Sequence, residues 1–404
     1  MKNLSPLEHF AFRVLYLDHT AQMSGGEMAL SRLLATLDPN QVVPLVILGE
    51  EGPLAKTLRS QGIETHVFPL LSHIRTIRKD TMGFRGWLQR AKHGLPLWLY
   101  AQQIARFAQN NNVDIIYTNS LKSNLYGALA SKLARIPLIW HVRDRIEESY
   151  LPIAAVRLFR ILARRLPTCV VANSQSTLET LHLPPTALTE VIASGMTQEY
   201  IQRCQEPRIH HSLPQIGIVG RIASWKGQDI FLRAAAQVLR SGHKAHFRVV
   251  GAPLFGEDSQ LDTLQLLVGE LGIQEHVTFC GFQSDIPSQL RNLDILVHAS
   301  TLPEPFGQVI VEGMVAGVPV IATDGGGARE IVTHEQTGLL VPLGDVEALT
   351  ASLLRLLGDP ELAGRLGAAG KEHALQNYTV EISARKSEAL YARVLQRKKP
   401  PKNN

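Results

Sequence analysis

Short apolar runs rich in β-branched residues alternate with longer helical patterns along nearly the whole chain. Runs without polar alternation are typical of strands buried on both faces of a parallel sheet, with helices as the crossovers between them. The fold class predicted is therefore α/β. The predicted strands span residues 12–17, 42–48, 65–68, 114–118, 137–142, 168–172, 190–192, 215–219, 246–250, 276–280, 294–298, 318–322 and 338–341.

One polar, aperiodic segment interrupts this pattern between Gly195 and the strand that begins at Gln215. The strands are too many for one sheet, so we predict two Rossmann-like domains, at residues 1–196 and 215–375, joined by a linker at 197–214. A C-terminal helix at 376–396 and a basic tail at 397–404 follow. The two domains are expected to face each other across a cleft, the default ligand site. Ligands bind such sheets at the carboxyl ends of the strands.

Cysteine usage and the pattern of apolar residues indicate the cellular compartment of the protein. Three cysteines, Cys169, Cys204 and Cys280, lie far apart and form no C-x-x-C pair, which favours a reducing compartment without disulfides or a zinc cluster. The first twenty residues lack the pattern of a secretory leader, and no run of 18 apolar residues occurs. A cytoplasmic protein is therefore expected.

The net charge of +5 is unevenly distributed. Residues 71–100 carry six Lys or Arg and one acid, and residues 153–166 carry four Arg and no acid. Such a basic surface suggests an anionic partner, which could be lipid phosphates, a phosphorylated acceptor or nucleic acid. The alternative is a solvated basic face without a partner. Nucleic acid is not expected, because zinc-finger spacings and RNA-binding aromatic signatures are absent.

Around residues 157–164 a helical pattern separates charged from apolar residues. Arg157, Arg160 and Arg164 fall on one helix face, and Leu158, Ile161 and Leu162 cluster on another. The segment could lie peripherally on the inner, anionic face of a membrane. The alternative, an amphipathic helix packed on its own sheet, is preferred.

The turn after the strand 215–219 combines glycines with two cations. Gly220-Arg221 is followed by Lys226-Gly227 and then by a predicted helix. Arg221 and Lys226 are close enough in sequence to point at one anion, and the helix N-terminus adds amide donors. The turn predicts a diphosphate site, although cations in loops are also commonly solvated.

A second loop, after the strand 294–298, carries Glu304 and then Phe306-Gly307, with a helix predicted to start near Gly307. Glu304 would lie just before the N-terminus of this helix, and Glu312 would lie inside the helix. A loop carboxylate and free amides suit sugar hydroxyls, and a deeper carboxylate suits a ribose diol. The glycine-rich loop 325–327 predicts close backbone approach to a ligand or a neighbouring loop, and the alternative is a flexible turn.

The first domain offers weaker signals. Gly25 and Gly26 precede a predicted helix, and the N-terminus of that helix could accommodate an anion. His141 ends a strand, with Arg143-Asp144 after it, and could hydrogen-bond a ligand, although a histidine at a strand end is more often structural. Asn173-Ser174 follows the next strand.

Several motifs are missing from the sequence: the dinucleotide-binding and P-loop glycine patterns, the G-x-S-x-G nucleophile elbow, and the Asp-x-Asp pair that holds a metal-bound nucleotide diphosphate. We therefore expect no cofactor and no metal, because Arg221 and Lys226 could neutralise a diphosphate instead.

Taken in order, these segments resemble the retaining glycosyltransferase family four, also called glycosyl transferases group 1, of the GT-B architecture. The matching residues include Gly25-Gly26, His141, Gly220-Arg221 with Lys226, Glu304 to Gly307 with Glu312, and residues 338–341. The resemblance covers nearly the whole chain and is most specific from residue 220 to residue 341.

The resemblance implies a hexosyltransferase-type enzyme that moves a sugar with retention from a nucleotide-sugar donor, UDP- or GDP-linked, to a glycan, lipid-linked or small-molecule acceptor. The first domain would be the acceptor side and the second the donor side, with the last helix crossing back to the first domain. By this resemblance Arg221 and Lys226 hold the diphosphate, Glu304 the sugar and Glu312 the ribose. Residues contacting the donor would also include Gly220, Phe306, Gly307, Gly25 and Gly26, with His141 beside the sugar.

Two alternatives remain open. One is a nucleotide-sugar epimerase of the same architecture, and the other is a non-catalytic protein that binds nucleotide sugars or glycans. Transfer to an acceptor distinguishes the enzyme from both.

Overall fold

The structure is a computed structural model that describes residues 11–70, 94–253, 257 and 259–398. The chain divides into two compact units. Unit 1 comprises residues 1–195 together with 380–404, and unit 2 comprises residues 196–379.

Unit 1 contains a parallel sheet of seven strands in the order β3-β2-β1-β4-β5-β6-β7. Its strands are β1 Phe12–Asp18, β2 Val42–Leu48, β3 Glu64–Val67, β4 Ile115–Thr118, β5 Leu138–Val142, β6 Cys169–Ala172 and β7 Thr189–Val191. The central strands β4, β5 and β6 are buried along their whole length, as continuous apolar runs predict.

Helices connect and cover these strands. They are α1 Gly25–Thr36, α2 Pro53–Ser60, α3 Gly94–Asn110, α4 Leu121–Ala134, α5 Ile153–Ala163 and α6 Gln175–Glu179. Ser120 caps α4 and Ser174 caps α6, each hydroxyl accepting a backbone N–H from the first turn.

Unit 2 contains a parallel sheet of six strands in the order β10-β9-β8-β11-β12-β13. Its strands are β8 Gln215–Val219, β9 His246–Val250, β10 Val277–Gly281, β11 Ile295–His298, β12 Val320–Thr323 and β13 Leu339–Val341. Its helices are α7 Gln198–Cys204, α8 Gln228–Arg240, α9 Ser259–Leu271, α10 Ile286–Arg291, α11 Gln308–Val315, α12 Ala328–Ile331, α13 Val346–Gly358 and α14 Pro360–Asn377.

The last described helix, α15 Val380–Lys398, belongs to unit 1 and packs on α1. Leu390, Tyr391 and Val394 are fully buried in the same apolar core as β1 and β2. The Tyr391 hydroxyl lies 2.7 Å from that of Tyr16 on β1, so two buried hydroxyls satisfy each other.

The α/β class with two Rossmann-like units is confirmed, and each predicted strand is present with ends shifted by two residues at most. The unit limits differ from the sequence-based ones: residues 197–214 belong to unit 2, where 198–204 are helical, and the chain returns to unit 1 at Val380. The basic segment at residues 71–93 and the tail from 399 lie outside the described residues. Within the part of the chain that is described, no helix is both long and apolar enough to cross a bilayer.

Candidate active site

The turn after β8 carries the two predicted cations at the start of α8. The Arg221 guanidinium pairs with the Glu257 carboxylate at 3.0 Å, and the Gln228 side-chain amide donates to the Arg221 carbonyl oxygen. Gly227, the N-cap of α8, has φ +71°, and an added Cβ would lie 1.9 Å from the carbonyl oxygen of Ala299. The turn after β8 is therefore packed directly against the end of β11.

Lys226 points to the neighbouring loop. Its ammonium forms an ion pair with Oε1 of Glu304 and lies 4.5 Å from the centre of the Trp225 ring. The amide of Thr301 donates to the Trp225 carbonyl oxygen at 2.8 Å. The loops after β8 and β11 are thus joined by backbone and side-chain bonds. Lys226 and Glu304 meet at the carboxyl ends of the strands, where a ligand site was expected.

Glu304 is almost completely enclosed, with 6% of its surface exposed. Besides Lys226, its Oε1 accepts a hydrogen bond from the Ser300 hydroxyl at 2.5 Å and lies 3.2 Å from Nε2 of His298. Burial alone would raise the pKa of Glu304, but the charges and hydrogen bonds of Lys226 and His298 outweigh it and hold that pKa well below its usual range. Glu304 is therefore ionised at neutral pH.

The loop 325–327 lies against the loop that holds Glu304. The Gly327 amide donates to the Glu304 carbonyl oxygen at 2.9 Å. A Cβ on Gly326 would lie 2.0 Å from that oxygen, and one on Gly327 would lie 2.3 Å from the Phe306 carbonyl oxygen. Of the interpretations given to these glycines, the structure therefore shows close approach to a neighbouring loop.

Phe306, Gly307 and Glu312 lie at the start of α11. Gly307 is the N-cap of this helix, and its carbonyl oxygen accepts from the Ile310 amide at 3.0 Å. The first amides of a helix point out of its N-terminal end. Phe306 is buried, with its ring centre 5.9 Å from that of Tyr378. Glu312 is buried inside α11, where its carboxylate accepts from the Gln308 side chain at 3.3 Å.

In unit 1, His141 lies at the carboxyl end of β5 and is 2% exposed. Its Nδ1 is 2.7 Å from the hydroxyl of Tyr117 on β4, and its Nε2 is buried without a hydrogen-bond partner among the described residues. Burial, and then the charge of Arg143, lower the pKa of His141 well below its usual value. The imidazole is therefore neutral at physiological pH.

Arg143 and Gly26 are neighbours at the same edge of the sheet. An added Cβ on Gly26 would lie 3.1 Å from Cδ of Arg143, whereas Gly25 faces open space. Nε of Arg143 donates to Asn119 at 2.8 Å, and the Asn119 amide in turn donates to the Asp18 carboxylate at 2.7 Å. This chain of bonds connects the ends of β5, β4 and β1.

Several residues of these clusters were missed by sequence reasoning: His298 and Ser300 in unit 2, and Asp18, Tyr117 and Asn119 in unit 1. Each stands in the last two residues of a strand or just after it. The sequence offered only this position as a clue. Ligands bind such sheets at the carboxyl ends of the strands, but that rule does not say which side chains come into contact.

Arg221 and Lys226 form ion pairs with different carboxylates, Glu257 and Glu304 respectively. Across the described ranges, no group of three or more His, Cys, Asp or Glu side chains is placed to hold a metal ion.

Solved structures identify the class of fold. The Anabaena protein HepE, solved in complex with UDP and glucose, is 27% identical, with a TM-score of 0.76 over 94% of this chain and 99% of HepE. A glycosyltransferase from Rickettsia africae is 22% identical, with a TM-score of 0.79 over 96% of this chain and 99% of its own. The protein has the GT-B fold.

The particular family follows from sequence. The model for Glycosyltransferase Family 4 matches residues 54–196, and the model for Glycosyl transferases group 1 matches residues 204–373. The chain belongs to this family of glycosyltransferases, which confirms the resemblance noted from its motifs.

Curated relatives are transferases as well. A GDP-mannose-dependent alpha-(1-6)-phosphatidylinositol monomannoside mannosyltransferase of Mycolicibacterium smegmatis is 32% identical over 49% of this chain, so the match spans about half, 52%, of that enzyme. A D-inositol 3-phosphate glycosyltransferase of Thermobispora bispora is 29% identical over 70% of this chain and 71% of its own length. The epimerase alternative gains no support from these relatives.

Proposed function

We propose that this protein transfers a hexose from a nucleoside-diphosphate sugar, UDP- or GDP-linked, to a glycan, lipid-linked or small-molecule acceptor, with retention at the anomeric carbon. One observation carries the proposal: Lys226 is held by the buried Glu304, which also contacts the buried Ser300 and His298, at the carboxyl edge of the unit 2 sheet. A cation held this way is preorganised for an anionic leaving group.

In this proposal unit 2 binds the donor. Arg221 and Lys226 neutralise the diphosphate, with the turn at Gly220 allowing the phosphates to approach the backbone. Glu304 and the amides of Phe306 and Gly307 hold the sugar, and Glu312 accepts hydrogen bonds from the ribose hydroxyls. HepE, crystallised with UDP and with UDP-glucose, and the GDP-mannose-dependent mannosyltransferase support this class of donor.

Unit 1 is the acceptor side in this proposal, and three of its residues suit groups of the donor. Gly25 and Gly26 begin α1, and the N-terminal end of a helix suits phosphate oxygens. The buried, unpaired Nε2 of His141 suits a sugar hydroxyl. Buried polar atoms without partners are rare in folded proteins, so a ligand that satisfies this one is favoured.

The mechanism follows from where charge develops. Breaking the anomeric bond builds negative charge on the leaving phosphate, which Arg221 and Lys226 stabilise. The acceptor hydroxyl attacks the face that the diphosphate leaves, and the departing phosphate oxygen takes its proton. Loss of one well-placed cation slows such a step on the order of 100-fold or more.

Thermal unfolding with excess UDP, GDP or ADP, each with and without EDTA, tests the donor site and the absence of a metal. A nucleotide at about 100 times its Kd stabilises by about 2.7 kcal/mol. We expect UDP or GDP to raise the Tm equally in both buffers. A shift that EDTA abolishes would contradict metal independence, and no shift with any nucleotide would contradict the donor site.

The matched variants are Arg221→Ala and Arg355→Ala, because both remove an arginine that pairs with a glutamate. Only the first should abolish the nucleotide-dependent shift and the transfer of radiolabelled sugar to an acceptor. Nucleotide binding without transfer to any acceptor fraction would favour the non-catalytic alternative.

We further propose that the protein is cytoplasmic and binds the anionic inner face of a membrane through α5. This helix buries Ala155, Val156, Phe159 and Ala163, as the preferred interpretation requires. Its outer side still exposes Leu158 and Ile161 beside the exposed Arg157. Exposed apolar side chains beside a cation suit an anionic interface, and three free cysteines fit a reducing compartment.

Co-sedimentation with vesicles containing anionic lipid, at low and high salt, tests this second proposal. We expect binding at low salt that weakens at high salt, and loss of binding in Ile161→Asp. Leu266→Asp, at an exposed apolar side chain of unit 2, is the control. Absence of binding at low salt would remove the membrane from the proposal.

A further inference from the structure

We propose that Tyr117 is a positioning residue: its hydroxyl holds His141 in the tautomer with hydrogen on Nε2, so that His141 offers a donor, and not a base, to the bound sugar. The contact with sugar rests on the function proposed above. The tautomer itself rests only on the geometry of unit 1.

Tyr117 and His141 lie on the neighbouring strands β4 and β5, paired in parallel near their carboxyl ends. Both side chains are buried, and the Tyr117 hydroxyl is 2.7 Å from Nδ1 of His141. This is the only polar contact that the described residues give either side chain.

Donor and acceptor strength decides the direction of this bond. In either direction one buried hydrogen stays without a partner among the described residues, on the Tyr117 hydroxyl or on Nε2 of His141. A phenol hydroxyl is a good donor and a weak acceptor, whereas an imidazole nitrogen with a free lone pair is a strong acceptor. The hydroxyl therefore donates to Nδ1, and the ring hydrogen lies on Nε2.

The hydroxyl of Tyr117 has little freedom to turn elsewhere, because its ring is fixed by two other tyrosines. The ring centres of Tyr16 and Tyr391 lie 5.0 Å and 6.2 Å from that of Tyr117. The hydroxyls of Tyr16 and Tyr391 bond to each other at 2.7 Å, so they are already engaged.

The opposite nitrogen of His141 then has one defined property. Because burial and Arg143 keep the imidazole neutral, Nε2 carries a single hydrogen and no accessible lone pair. Such a nitrogen can donate to a sugar hydroxyl oxygen, but it cannot accept the proton of an attacking acceptor. This agrees with a mechanism in which the departing phosphate takes that proton.

The test uses the full chain labelled with ¹⁵N-histidine. Long-range ¹H–¹⁵N spectra distinguish the two neutral tautomers, and His141→Gln assigns the signal. We expect the wild type to show the tautomer with hydrogen on Nε2, and Tyr117→Phe to shift towards the other tautomer. Tyr126→Phe is the control, since it removes a buried hydroxyl of unit 1 that does not contact His141. A His141 signal that is the same in Tyr117→Phe and in the wild type would overturn the proposal.

Kinetics test the functional part. We expect Tyr117→Phe to lower kcat/KM for sugar transfer by about tenfold, equivalent to about 1.4 kcal/mol, with UDP binding unchanged and Tyr126→Phe near wild type. A lost tautomer with unchanged transfer would overturn the contact between His141 and sugar. Failure of every nucleotide to bind would instead overturn the proposed function, and the spectra would still decide the tautomer.

Discussion

The ion pair between Lys226 and Glu304 predicts that one cation of the donor site also stabilises unit 2. Lys226→Met keeps the length of the side chain and removes its charge. The Glu304 carboxylate then remains buried with Ser300 and His298 as its partners among the described residues.

The magnitude follows from burial. Removing one partner of a fully buried ion pair costs about 3–5 kcal/mol, because the other charge stays in a low-dielectric environment. The Lys226 side chain is 20% exposed and Glu304 keeps two other donors, so we expect a loss of about 2–3 kcal/mol. Arg221→Met is the matched control: this pair with Glu257 is 27% and 31% exposed, and its loss should cost less than about 1 kcal/mol.

The assay must report unit 2 alone, because a protein of two units need not unfold in one step. Trp225 is the only tryptophan of unit 2, and the other three, at positions 87, 98 and 140, belong to unit 1. Of the four ¹⁹F signals that 5-fluorotryptophan gives, the one from Trp225 therefore follows the unfolding of unit 2 in urea.

The double variant Lys226→Met/Glu304→Gln completes the cycle, and its loss should be smaller than the sum of the two single losses by about 1–2 kcal/mol. Equal destabilisation by Lys226→Met and Arg221→Met, or strict additivity in the cycle, would refute the reasoning. Both single cation variants should still lose transfer activity.

Three further predictions concern pH, glycine and the C-terminal helix. Because the pKa of Glu304 in the folded chain lies well below the unfolded value of about 4.3, its contribution is fully present above that value and lost as the pH falls through the folded pKa. Between about pH 6 and about pH 3, the Tm of the wild type should fall more steeply than that of Glu304→Gln, and parallel curves would contradict this. Gly242 has φ +89° and faces open space, so Gly242→Ala should lower the free energy of unfolding in urea by about 1–2 kcal/mol. Gly227→Ala should lower it further, because its Cβ would meet a carbonyl oxygen at 1.9 Å. Equal losses in the two variants would contradict the packing argument. Tyr391→Phe leaves the Tyr16 hydroxyl buried and unpaired, so unit 1 should lose about 1–3 kcal/mol in urea, and an unchanged midpoint would argue against that bond.

The sheets could be read from the sequence because their strands are short, continuous apolar runs, and burial on both faces requires that pattern. Strands β8 and β9 begin and end at the predicted residues. The segment 198–204 was missed as a helix because it is polar and only seven residues long. So short a segment cannot show a repeated helical pattern of apolar residues.

The candidate site was predicted as a set of positions but not as a set of contacts. Lys226 and Glu304 are 78 residues apart, and nothing in their spacing selects this carboxylate in preference to Glu257, which pairs with Arg221. Tyr117 looked like an ordinary strand residue, since its role depends on a histidine on the adjacent strand. Such partnerships are set by strand order, which a sequence pattern leaves open.

The position of α15 has a consequence for synthesis. Unit 1 needs Leu390, Tyr391 and Val394 to fill its core, yet the ribosome makes all of unit 2, residues 196–379, before it reaches them. Translation proceeds at about 5–20 residues per second, so the synthesis of unit 2 takes roughly 10–40 s. During that time an apolar face of α1 and β1 remains uncovered. Unit 2 is continuous in sequence and can close first. Nascent chains of this protein are therefore expected to need chaperone protection at their N-terminal half, and slower translation through unit 2 should prolong that need.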